Sequence, residues 1–171
     1  MNFFKAAIMS VPLLEASTIL WVALIQHLRE QGAGTRESGA FLLGHKTESG
    51  RVMTKVLPYQ NLQADALHND HVSLTAGSFA KLWDLCRREG LSVVGDVHTH
   101  RFGAGQSPSD QENPMVALPG HIAFIVPRFA QGNIGLHDLG MYVYKGNHKW
   151  TTFSGAAVPR LVRLTDAGGS K

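Results

Sequence analysis

The chain has 171 residues, 44% of them hydrophobic and 17% charged, with a formal net charge of +3 and a calculated pI of about 9.2. That length and apolar content exclude a disordered protein, and the single cysteine, Cys86, excludes both a disulfide framework and a thiolate zinc cage. The basic excess is small and contains no Lys/Arg block, so it does not argue for nucleic acid and at most favours an acidic partner face.

In chain order, Lys5 precedes a short apolar run that Glu15 interrupts, which makes a poor signal peptide. No apolar run reaches the length of a membrane span, so the expectation is a cytoplasmic protein with no membrane partner. Residues 6–11 read as a first strand. Pro12 suits the first turn of a helix that runs to about Arg29, with Leu13, Leu20, Leu24 and Leu28 among its apolar positions and Gly32 and Gly34 at its end. Residues 40–43 form an apolar run bounded by Gly39 and Gly44, a buried strand with Glu37 at its mouth. A turn at 47–50 leads to a second strand at 51–57, a hairpin-like start to a sheet.

Residues 58–74 are irregular. They hold His68, Asp70 and His71, a second possible metal pair, but with no strand or clear helix to fix them they read as a solvated loop. Thr75 caps a helix whose Phe79, Leu82, Trp83 and Cys86 follow helical spacing up to Gly90, and Cys86 therefore reads as a core residue and not a nucleophile. Further on, residues 112–118 suggest a short helix ended by Pro119 and Gly120. Residues 121–126 read as an apolar strand with His121 at its end, not as a ligand. Two strands, 139–144 and 150–153, flank a turn at Gly146 and Asn147, and the polar tail from Thr165 reads as mobile. Strands and helices alternate irregularly, so the expected class is α+β, a mixed β-sheet flanked by helices in a single domain over residues 1–171.

The chemistry concentrates in residues 91–110. A short apolar strand leads into His98, Thr99 and His100, and side chains two apart on a strand share a face, so both imidazoles point the same way. The polar, Gly-containing loop that follows can fold back and bring Asp110 to the same point. Two imidazoles, one carboxylate and an open fourth position make a catalytic zinc site; a structural one would close its fourth position with another ligand, usually Cys. Taken alone, His-x-His is a common pair, and Ser107 with Asp110 is also an ordinary helix start. Glu37 adds the remaining element: a carboxylate that is not a ligand, able to take a proton from activated water and hand it to a leaving amine.

Glu37 before a Gly-bounded apolar strand, His98 and His100 at a strand end, and Ser107 with Asp110 together resemble the pattern of the JAMM (MPN+) metalloproteases. The resemblance spans residues 6–153 and fills all five functional positions. Two departures stand out. The family usually has Pro after the second His, where this chain has Arg101, and it usually places one residue more between that His and the Ser than the six found here at 101–106. The resemblance implies the JAB/MPN, cytidine-deaminase-like fold. It implies one zinc ion per chain on His98, His100 and Asp110, Glu37 as general base, and Ser107 as donor to the developing oxyanion. It also implies a substrate: an isopeptide or peptide bond after the C-terminal tail of a ubiquitin-like protein, with Arg101 and Phe102 placed to contact that tail. The compact prokaryotic members, which this short chain resembles, are found beside ubiquitin-like proteins and activating- or conjugating-enzyme-like partners. Two other readings follow from the same family: trimming of a sulfur-carrier protein of ubiquitin fold, and a scaffold that has lost its metal. The retained ligands disfavour the scaffold, and the lack of a basic stripe disfavours the DNA-repair-associated relatives.

Overall fold

The computed structural model describes residues 12–166. The strand expected at 6–11 and the end of the polar tail, 167–171, lie outside the described residues. The fold is α+β, as the sequence implies: one mixed eight-stranded sheet with helices on both faces.

Pro12 does not open a helix. Leu14–Ser17 is strand β1, and its burial alternates, with Leu14 and Ala16 inside, the period of a strand and not of a helix. Ser17 ends it by capping helix α1 (Thr18–Gly32), its Oγ accepting from the Leu20 N–H at 3.1 Å. Next come β2 (Gly39–Thr47) and β3 (Gly50–Pro58), the expected antiparallel hairpin, followed by a one-turn helix α2 (Tyr59–Leu62). Helix α3 (Ala76–Glu89) starts at Thr75 and stops at Gly90, whose φ of 66° is the left-handed cap a glycine adopts without strain. Strand β4 (Ser92–Thr99) carries the first histidine. The helix expected at 112–118 lies earlier, as α4 (Pro108–Glu112), because Pro114 lacks an N–H and forces Asn113 out of helical geometry. The chain closes with β5 (Ile122–Val126), β6 (Gly140–Gly146), β7 (Lys149–Phe153), α5 (Val158–Leu161) and β8 (Val162–Thr165). Asn147 and His148 both have positive φ, which makes the β6–β7 connection a tight primed turn.

The strand order is β7-β6-β5-β4-β2-β3-β1-β8, with β4 inside, antiparallel to β2 and parallel to β5. Helix α1 covers one face through Trp21, Leu24, Ile25 and Leu28, packed with Leu42, Val97 and Phe124. Helix α3 covers the other through Leu82 and Cys86, packed with Phe41, Leu43, Tyr59 and Val93. A register shift between Leu42 and Leu43 decides what β4 offers to each face. Val93 and Asp96, three residues apart, both reach the α3 face, which an unbroken strand would not allow. The bulge therefore sends Asp96, and with it His98 and His100, to the α3 side.

Candidate metal centre

The register fixes the site. Gly39 pairs with His98 and Phe41 with Asp96, so continuing the antiparallel ladder sets Glu37 opposite His100. Ser38 locks this junction: its N–H donates to Thr99 Oγ1 at 3.0 Å, its carbonyl accepts from the Thr99 N–H at 2.9 Å, and its hydroxyl donates to the Leu28 carbonyl at 2.8 Å. Ser38 and Thr99 are fully buried, so each unmade bond there would cost about 1–3 kcal/mol. Just beyond β4, the His100 N–H donates to the Val126 carbonyl at 2.9 Å, and the His100 carbonyl accepts from the Phe129 N–H at 2.8 Å. Phe129 lies in an unusual segment: Arg128, Phe129 and Ala130 all have φ between 50° and 60°, a left-handed conformation that non-glycine residues hold only when their surroundings enforce it. Arg29 does so from α1, its Nε donating to the Ala130 carbonyl at 2.8 Å.

The loop after His100 folds back as its composition suggests. It is anchored where Tyr142 donates to the Ala104 carbonyl at 2.5 Å and the Arg128 N–H donates to the Phe102 carbonyl at 3.2 Å. It delivers Ser107 as the N-cap of α4. Ser107 Oγ accepts from the Asp110 N–H at 3.1 Å, and Asp110 Oδ2 accepts from the Ser107 N–H at 2.7 Å, a reciprocal capping box. The helix start thus supplies two members of the chemical cluster, Ser107 and Asp110.

His98 Nε2 and His100 Nε2 lie 3.0 Å apart. Asp110 faces both, Oδ1 at 3.3 Å from His98 and Oδ2 at 3.2 Å from His100. Glu37 Oε1 stands at 3.9 Å from His100, and one donor atom each from Glu37, His98 and His100 falls within 4.8 Å of the others, close enough to hold a metal ion. Burial works against the charge on Asp110, but hydrogen bonds from His100, His98 and the Ser107 N–H hold its carboxyl far below the ordinary range. Burial raises Glu37, an effect the two imidazoles only partly offset. Burial also disfavours the imidazolium of His98, yet the hydrogen bond and charge of Asp110 outweigh it and raise the group. His98 Nδ1 is buried without a hydrogen-bond partner among the described residues, so the polar contacts of this ring run through Nε2.

A cleft of about 760 Å³ opens over these groups, within the usual range for ligand sites of about 300–1,000 Å³. Arg101 and Phe102 sit on its rim, Phe102 80% exposed and the Arg101 guanidinium 6.0 Å from its ring centroid. The cleft is also lined by Asp70 and His71 of the loop read as solvated. That loop does border solvent, but it also ties to the site through the Glu37 N–H, which donates to the His68 carbonyl at 2.9 Å.

Sequence reasoning missed the layer beneath the metal residues. Asp96, 2% exposed, accepts from His121 Nε2 at 2.5 Å and from the Tyr59 hydroxyl at 3.3 Å. His121 is thus a strand-end residue as expected, but one committed to a buried carboxylate. The available signal was position: Asp96 is two residues before His98 and so shares its face.

Comparison with known proteins follows the same line. A family described as prokaryotic homologs of the JAB domain matches residues 18–136. A protein named "Probable metalloprotease y4jG" from Sinorhizobium fredii (strain NBRC 101917 / NGR234) is 22% identical over 140 residues, covering 81% of this chain and 86% of that protein. The solution structure of a protein from Desulfitobacterium hafniense superposes with a TM-score of 0.66 at 16% identity, covering 90% of this chain and 94% of the other. One from Salinibacter ruber (strain DSM 13855) gives 0.59 at 18% identity, covering 92% and 95%. At such identities these two structures establish likeness of fold.

Proposed function

The chain belongs to the prokaryotic homologs of the JAB domain, and from that membership and the donor geometry we propose that it is a single-domain, zinc-dependent peptidase cleaving after the C-terminal tail of a ubiquitin-like protein. The observation that carries the reading is the spacing of three donors. Tetrahedral zinc with bonds of about 2.0–2.1 Å needs ligand atoms about 3.3 Å apart. His98 Nε2 and His100 Nε2 are 3.0 Å apart, and the Asp110 carboxylate spans them, Oδ1 at 3.3 Å from His98 and Oδ2 at 3.2 Å from His100. Glu37 Oε1 stands 3.9 Å from His100, within reach of the same ion, and in this reading it serves as the base and not as a ligand. His98, His100 and Asp110 would hold the ion, and among the described residues no cysteine stands beside them to close a fourth position, which favours a catalytic centre.

When bound, such an ion supplies Lewis acidity, lowering the pKa of a water and polarising the scissile carbonyl. The chain's own groups do the rest. Glu37, its carboxyl raised by burial, accepts the proton from the attacking water and returns it to the departing nitrogen. Asp110 is held as an acceptor by the Ser107 N–H. Ser107 Oγ receives the Asp110 N–H, which leaves its own proton free to donate to the oxygen that becomes negative. The cleft's wall of Leu74, Phe79 and Met115 suits an extended peptide, with Arg101 and Phe102 gripping it at the rim.

The test is incubation with a ubiquitin-like protein carrying a C-terminal fusion, with and without a chelator, read by mass. Cleavage directly after the tail, lost with chelator and restored by zinc, is expected. Cleavage that ignores the chelator would contradict the proposal.

A further inference from the structure

A second, smaller cavity of about 220 Å³ lies behind the cleft, between α3 and the ends of β2, β3 and β4. Its polar lining is basic: Lys46, Arg51 and His121 face it, with no carboxylate among its lining residues. Its apolar lining includes Trp83, 43% exposed, together with Cys86, Val93 and Leu118. Burial pushes the thiol of Cys86 up, so this side contributes a neutral, apolar wall.

Two features of the cations are costly as they stand. Lys46 and Arg51 are direct cross-strand partners in the β2–β3 hairpin, and like charges directly opposite each other on a sheet destabilise it. Arg51 is also half-buried, and its described hydrogen bond goes to a neutral acceptor, the Gly120 carbonyl. Neither cation has a carboxylate partner among the described residues. Desolvation lowers the pKa of Arg51 and nothing nearby offsets it. The two charges converge on a cavity with an aromatic side.

From this arrangement we infer that the cavity is a binding site for a small organic anion: a carboxylate or phosphate group held between Lys46 and Arg51, with a compact apolar or aromatic body against Trp83 and Leu118. The anion relieves the Lys46–Arg51 repulsion and completes the donor capacity of Arg51, whose fork matches carboxylate and phosphate oxygens. The volume, below the usual range of about 300–1,000 Å³, limits the body to about one ring. The site is distinct from the metal centre yet adjacent to it: His121 lines this cavity while bonded to Asp96, which lines the cleft.

The three tryptophans make the test specific, since Trp83 lines this cavity, Trp150 lines the cleft and Trp21 is buried under α1. Phenyl phosphate and benzoate are titrated into the full chain while the three indole N–H signals are followed by NMR, with benzamide as the neutral control and inorganic phosphate as the head group alone. The Trp83 signal is expected to move with phenyl phosphate, benzoate or both, and which of them binds tighter identifies the preferred head group. Benzamide should bind at least tenfold more weakly. Lys46→Gln and Arg51→Gln should each weaken the anion about tenfold or more, with Lys46→Gln, an exposed position, serving if Arg51→Gln fails to fold. Movement of Trp150 in place of Trp83 would put the anion in the cleft and overturn the inference. So would equal binding of benzamide, binding unchanged in both variants, or a Trp83 signal that stays fixed at millimolar probe.

Discussion

Replacing Asp96 by alanine tests whether the layer beneath the metal residues is held by its polar bonds. The carboxylate is 2% exposed and bonds His121, itself 6% exposed, at 2.5 Å, with a longer bond from Tyr59 at 3.3 Å. Removing it strands His121 Nε2 without an acceptor, at about 1–3 kcal/mol for a buried group, and weakens Tyr59 by a smaller amount. The sum is about 2–4 kcal/mol, a large part of the 5–15 kcal/mol that holds a typical domain together. Urea titration should show the midpoint falling at constant slope. Asp96→Asn, which keeps an accepting oxygen, should lose only about 1 kcal/mol. Adding His121→Leu to Asp96→Ala should recover part of the loss, because both partners are then gone. A cost for Asp96→Ala under about 0.5 kcal/mol, or strict additivity in the double variant, would refute the reasoning.

Glu37→Gln should lower turnover by about 10²–10⁴ while metal content and folding are retained, measured by cleavage rate beside metal analysis. Ser107→Ala removes both the cap and the proposed oxyanion donor, so a stability loss of about 1 kcal/mol and a rate loss of about 10²–10³ are expected. Ser107→Asp, which caps but cannot donate, should restore the first and not the second. Cys86, buried with its thiol pushed up, should react with iodoacetamide more slowly at pH 8 than a free cysteine does, and Cys86→Ser should leave catalysis unchanged.

Much of this was legible because the signals are local. The β2–β3 hairpin, α3 with its Thr75 and Gly90 ends, and the His98/His100 alternation each depend on residues within a few positions of one another. The helix expected from Pro12 takes in β1 because Leu13, Leu20, Leu24 and Leu28 fit helical spacing, and only pairing with β3 and β8, distant in sequence, makes a strand of residues 14–17. The register shift opposite Leu42 left no mark that alternation could detect, although it turns Asp96, His98 and His100 to the α3 side. The left-handed segment at Arg128–Ala130 contains no glycine to announce it and exists because His100, Phe102 and Arg29 bind its backbone. The family resemblance supplied what spacing could not: the proposed division of roles, with Asp110 as ligand and Glu37 as base.

That division of labour between two carboxylates is also the most direct test of the account. Zinc affinity should be measured on the intact chain and on Asp110→Asn and Glu37→Gln, each checked for folding. The account predicts one zinc per chain for the parent and for Glu37→Gln, with affinity reduced at least tenfold in Asp110→Asn. A Glu37→Gln protein that loses its metal while Asp110→Asn keeps it would contradict the account and make Glu37 the ligand.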